Sequence, residues 1–175
     1  MPVPPINRIG AGQAESDIPY EFASEVKLDP VLREEILSVL KATTDMTIAT
    51  IRPDGYPQAT TVSYVSDGLT MYFGCAAESQ KARNILSNDK VSLTVTLPYF
   101  NWKEIRGLSI GGTAKPVTDP NEINRVSELM LRKFPQILQY ALAGEKGVFL
   151  VRIAPEVISL LDYRKGFGHT DLVEL

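Results

Sequence analysis

Residues whose types could do chemistry gather first at Ser79-Gln80-Lys81-Ala82-Arg83-Asn84, where a hydroxyl and two cations stand at the expected start of a short helix. The partial positive charge of a helix N-terminus disfavours cations, so Lys81 and Arg83 suit that place if an anion such as a phosphate docks against them. The other reading leaves both side chains in solvent. A second candidate is Gln58-Ala59-Thr60-Thr61-Val62-Ser63-Tyr64. Its small hydroxyl residues and backbone could line a flat ring and a polyol chain, and the same alternation also suits any half-buried strand. Histidine and cysteine occur once each, His169 and Cys75. That leaves no cluster at metal-ligand spacing and no neighbouring Cys-His pair, so no metal site is expected. Phosphate-binding Walker and Rossmann motifs are also missing. Any reaction would therefore be carried by a borrowed cofactor.

The elements that must position these residues are mostly strands. Alternation and β-branched content predict strands at 46–51, 57–65, 69–75, 91–97, 105–114 and 147–153, with 158–161 as an extension. Pro53-Asp54-Gly55 and Ser66-Asp67-Gly68 read as turns. Helices are expected from Asp29 as N-cap with Pro30 at the first position, from Ser79 over 79–87, from Asp119-Pro120 to about Lys133, and from Pro135 toward Leu142. In the 79–87 helix, Ala82, Ile85 and Leu86 form the expected buried stripe. Gly107, Gly111 and Gly112 interrupt the fifth strand and signal a bulge or a close backbone approach. Successive hairpins with inserted helices, and no strand-helix alternation, point to a mainly β protein built as a six-stranded antiparallel barrel.

The chain has 175 residues, 44% hydrophobic and 22% charged, with a formal net charge of -3. One globular core is the natural size for this length. With no basic excess, nucleic-acid binding is not expected. No apolar run approaches the roughly 18 residues that cross a bilayer, so no membrane partner is expected. The lone cysteine and the lack of a signal-like N-terminus suggest a cytoplasmic protein. Residues 1–28 read as a tail, 29–163 as the one domain, and 164–175 as a C-terminal tail or a lid.

The order Met46-Thr47-Ile48-Ala49-Thr50, Gly55-Tyr56-Pro57-Gln58-Ala59-Thr60-Thr61-Val62, Leu69-Thr70-Met71-Tyr72-Phe73, Ser79-Gln80-Lys81-Ala82-Arg83-Asn84-Ile85 and Asp89-Lys90-Val91-Ser92-Leu93 resembles the pyridoxamine-phosphate-oxidase-like FMN-binding split-barrel family. The resemblance implies a six-stranded antiparallel split β-barrel that pairs as a homodimer with FMN between the subunits. It implies that Ser79 and Lys81, helped by Arg83, hold the FMN phosphate. Thr60, Thr61 and Val62 would line the isoalloxazine and ribityl groups, and Cys75 and Ala76 would lie under the flavin. Trp102 and Arg106 would approach the cofactor from the partner subunit. The implied activity is an oxidoreductase acting on a small molecule. The deazaflavin F420 is the alternative cofactor, and a non-catalytic carrier or sensor of flavin, F420 or haem is the alternative role. Enzymes of the family that oxidise pyridoxamine phosphate carry an arginine on the second strand and an arginine-containing C-terminal segment ending in proline. Here Ala59-Thr60 and the ending Tyr163-Arg164-Lys165-Gly166-Phe167-Gly168-His169 replace them, which argues against a vitamin B6 phosphate as substrate.

Overall fold

The structure, a computed structural model, describes residues 28–142 and 148–175, so the expected N-terminal tail lies outside the described residues except for Leu28. Among the described residues, eight strands form one antiparallel sheet: β1 (Asp45–Ile51), β2 (Pro57–Ser63), β3 (Val65–Asp67), β4 (Thr70–Ala76), β5 (Lys90–Thr96), β6 (Arg106–Pro116), β7 (Val148–Asp162) and β8 (Thr170–Glu174). The order is β2-β1-β5-β6-β7-β4-β3, with β8 also paired to β7. The sheet curls until its edge strand β2 comes back near β4 without pairing to it. This curl makes a split barrel.

Two strands exceed the six expected. The run expected as one strand over 57–65 breaks at Tyr64, because β2 pairs with β1 while β3 pairs with β4. Tyr64 turns its fully buried ring inward at the break, and its hydroxyl donates to the Leu40 carbonyl at 2.9 Å and meets Thr43 Oγ1 at 2.7 Å. β8 arises from residues first read as a tail or lid. It adds to Val157–Leu161 of β7, and the Leu175 N–H continues the pairing to the Glu156 carbonyl.

β7 is a single long strand through Pro155. Proline lacks the ladder N–H, and here it stands at the register shift opposite Gly111 and Gly112, between the β7 stretch paired to β4 and the stretch paired to β8. A Cβ on Gly107 would lie 2.6 Å from the Val95 carbonyl oxygen, which is the close approach that the glycine signalled.

Among the described residues, four α-helices complete the fold: α1 (Pro30–Ala42), α2 (Gln80–Ser87), α3 (Pro120–Lys133) and α4 (Ile137–Leu142). Asp29 caps α1 by accepting from the Val31 N–H, with Pro30 at the first position where no N–H is needed. Ile36, Val39 and Leu40 of α1 enter the main core with Met46, Ile48, Phe73, Leu93, Ile110 and Ile158 of the strands. A second core lies under α3, where Val126 and Phe134 pack on Val65 and Tyr72. No helix of the described residues is long and apolar enough to cross a membrane.

Candidate functional site

Ser79 caps α2, its hydroxyl oxygen accepting from the Ala82 N–H at 3.3 Å. A hydroxyl that accepts from the helix still has its own proton to donate outward. Its backbone N–H is tied to the Ala76 carbonyl at 3.0 Å, which joins the helix start to the end of β4. Lys81 is half-buried in the first turn and, among the described residues, makes no ion pair. A cation at the positive end of a helix, with no carboxylate to balance it, is an electrostatic seat for an anion.

Arg83, expected to help hold the anion, is exposed in the same turn. Its guanidinium donates to the Glu78 carbonyl at 2.6 Å and to Gln80 Oε1 at 3.0 Å, so it braces the turn that leads into the helix.

The inner stripe of α2 also departs from expectation. Leu86 is 64% exposed, and Asn84 takes the buried place beside Ala82 and Ile85. Its carboxamide is saturated: Nδ2 donates to Thr50 Oγ1 at 2.9 Å and to Gln58 Oε1 at 3.0 Å, and Oδ1 accepts from Gln80 Nε2 at 2.8 Å. Buried polar groups persist when partnered in this way. The network ties α2 to β1 and to the edge strand β2. The sequence signal was Asn84 itself, a polar residue in register with an apolar stripe, but its partners on the strands are 26 and 34 residues away.

On β2, Gln58, Thr60 and Val62 share the face turned toward α2 and the core, while Ala59, Thr61 and Ser63 face outward and are exposed. Thr60 and Thr61 therefore present side chains to opposite faces. Val62 is buried in the main core. Cys75 on β4 is half-buried against the same core, and the next residue, Ala76, is exposed.

Trp102 lies in the turn before β6, and Arg106 is the first residue of that strand. Trp102 is 68% exposed in a 3-10 turn, Trp102–Glu104, and its ring stacks on Phe167 with centroids 6.2 Å apart. Tyr163 leans on Phe167 at 5.2 Å, and Tyr99 and Phe100 add exposed rings nearby in sequence. Arg106 is directed at Asp162, its cross-strand partner, with Nε 3.4 Å from Oδ2. Asp162 is fully buried and is also gripped by Arg164. The Arg164 hydrogen bonds hold the Asp162 carboxyl below the usual carboxylate range against the opposing effect of burial. His169 places Nε2 3.1 Å from Asp171 Oδ1, and Lys165 bridges Asp171 to Glu35 of α1.

The fold is a split β-barrel in which the helix start that carries Ser79 and Lys81 is tied to the sheet's edge strand. The sequence profile of the pyridoxamine 5'-phosphate oxidase family matches residues 32–162, and the chain belongs to that family. No protein of curated function matches the sequence. Among solved structures it is similar to a heme-binding protein of Mycobacterium smegmatis, with a TM-score of 0.70 and 17% identity over 81% of this chain and 57% of that one. This chain thus spans little more than half of that relative's length. It is similar to a conserved hypothetical protein of Mycobacterium tuberculosis at a TM-score of 0.66 and 29% identity, covering 79% and 89% of the two chains. HutZ, the heme storage protein of Vibrio cholerae, aligns at a TM-score of 0.61 and 21% identity, over 71% of this chain and 90% of its own.

Proposed function

We propose that this chain binds FMN, with the phosphate on Ser79 and Lys81 and the flavin along β2, and that it works as an oxidoreductase on a small molecule from within a homodimer. The observation that carries this reading is the half-buried, uncompensated Lys81 beside a capping hydroxyl whose proton is still available. Those groups fit a phosphate dianion by charge and by donor type. Bound flavin would supply hydride or electron transfer, and the chain's part is to orient it and to set its electrostatics. The exposed rings of Trp102 and Phe167 support pairing, because aromatic residues of this kind are enriched at buried interface centres. Freshly purified protein should show a flavin absorbance spectrum, or the stripped chain should gain melting temperature with added FMN. Colourless protein with no such gain overturns the reading, and an absorbance maximum characteristic of F420 replaces the cofactor.

A carrier role for haem has one specific observation in its favour. His169, the sole histidine, is half-exposed with a carboxylate, Asp171, against one ring nitrogen, the arrangement that orients an imidazole as an axial ligand. Two of the structural relatives are described as heme-binding or heme storage proteins. Titration with hemin decides between the roles: a sharp Soret band that is lost in His169→Ala supports the carrier, and an unchanged free-hemin spectrum removes it.

A further inference from the structure

The polar residues between α2 and the edge strand form one directed chain of hydrogen bonds. Arg83 donates to Gln80 Oε1 at 3.0 Å, Gln80 donates to Asn84 Oδ1 at 2.8 Å, and Asn84 donates to Gln58 Oε1 at 3.0 Å and to Thr50 Oγ1 at 2.9 Å. Thr50 Oγ1 leans in turn on the Gln58 carbonyl at 3.5 Å. Every donor points away from the guanidinium. The amide flips of Gln80, Asn84 and Gln58 are thereby fixed by a single charged end, and the bonds polarise one another. Asn84 and Thr50 have essentially no exposure, so the links cannot be replaced by water without opening the core. Apolar contact between α2 and β1 alone would let the helix slide or rotate. A saturated buried amide with partners on two strands admits one position.

We propose that Asn84 is a positioning residue: its buried carboxamide, through Gln58 and Gln80, fixes the helix start that carries Ser79 and Lys81 relative to β2. A ligand that reaches from one to the other then meets both as a single rigid site. This rests on the flavin reading above. Rigid linkage makes the second contact effectively intramolecular, so its benefit appears only for a ligand that spans both parts. FMN spans them, whereas riboflavin lacks the phosphate and engages β2 alone.

The test compares FMN and riboflavin dissociation constants, by fluorescence quenching on the full chain, in wild type, Gln58→Leu and Asn84→Ala, together with the melting temperature of the ligand-free protein. Gln58→Leu keeps the Asn84–Thr50 bond and serves where Asn84→Ala fails to fold. In Gln58→Leu, FMN should weaken about tenfold while riboflavin changes less than about twofold, since only the spanning ligand uses the link. A lowered melting temperature with unchanged FMN affinity, or equal weakening of both flavins, assigns the network to fold stability and overturns the positioning role alone. Wild-type chain that binds neither flavin overturns the flavin reading and the positioning role with it.

Discussion

Arg164 closes on Asp162 through two parallel hydrogen bonds, Nε to Oδ1 at 2.8 Å and Nη2 to Oδ2 at 2.6 Å, on a carboxylate with no solvent exposure. The Arg164 N–H also donates to Oδ1 at 3.1 Å, so the carboxylate caps the turn Tyr163–Lys165. The Asp162 N–H donates to the His169 carbonyl, and Arg106 Nε lies 3.4 Å from Oδ2 of the carboxylate. One buried charge therefore organises the end of β7, the turn that carries Phe167 to Trp102, and the approach to β8.

Asp162→Asn should destabilise the protein by about 3 kcal/mol, because it strands the largely buried Arg106 without its counter-charge. The pH dependence has a definite sign. Asp162 titrates lower in the folded protein than in the unfolded chain, so its contribution is whole above the unfolded carboxylate value of about 4 and fades as pH falls through the folded one. Urea denaturation at pH 7 and pH 3 should show the gap between wild type and variant narrowing on acidification. A gap that widens with acid contradicts the assignment.

Lys81→Ala should raise the FMN dissociation constant about 10- to 100-fold, the range for losing one charge-assisted bond to phosphate, and leave riboflavin nearly unchanged. Added salt should weaken FMN in wild type more than in the variant, since screening acts on the charge that was removed. Arg83→Ala should weaken FMN less, because its guanidinium is engaged with Glu78 and Gln80.

The single tryptophan reports on the aromatic surface directly. Trp102 is 68% exposed, so Trp102→Ala should change folding stability by less than about 0.5 kcal/mol. It should instead weaken self-association in sedimentation velocity, and wild-type emission should shift to the blue as protein concentration rises. Emission and sedimentation that stay constant across concentration remove this surface from the dimer.

Adjacent glycines at the β6 bulge should differ in their tolerance of a methyl group. A Cβ on Gly112 would run into the Ala154 carbonyl oxygen and lie 2.9 Å from Pro155 Cα, both backbone atoms of the paired strand. On Gly111 it would meet only the Val157 Cγ1 methyl at 3.0 Å. Gly112→Ala should cost about 3 kcal/mol in chemical denaturation and Gly111→Ala about 1, because a side chain can yield where a strand cannot.

Tyr72 joins α3 to the sheet. Its hydroxyl donates to Glu122 Oε1 at 2.9 Å, Glu122 also pairs with Arg152 at 3.4 Å, and Arg125 of the same helix reaches Asp67. Burial, reinforced by the Glu122 carboxylate, pushes the phenol up to about 12. The folded protein holds this proton more tightly than the unfolded chain, so the contribution is whole below about pH 10 and is lost between there and about 12. Tyr72→Phe should cost about 1 kcal/mol at pH 8, and the difference should shrink at pH 11. Thermal unfolding at the two pH values measures it.

Local chemistry determined much of this protein from sequence. Asp29, Ser79 and Asp119 cap helices because a short polar side chain before a helical run can satisfy a free N–H two or three residues on. Glycines at 107 and 112 signalled close backbone approach because only a missing Cβ permits it. The strands at 46–51 and 91–97 showed in their alternation, since one face of each is buried. Long-range pairing was decided only in three dimensions. Nothing near Tyr64 in sequence reveals that β2 and β3 belong to different neighbours, and residues 170–174 become a strand because β7 offers them an open edge. Asn84 and Asp162 followed the same rule. A buried polar group is stable only with partners, and those partners come from strands and turns that the fold alone brings within hydrogen-bond distance.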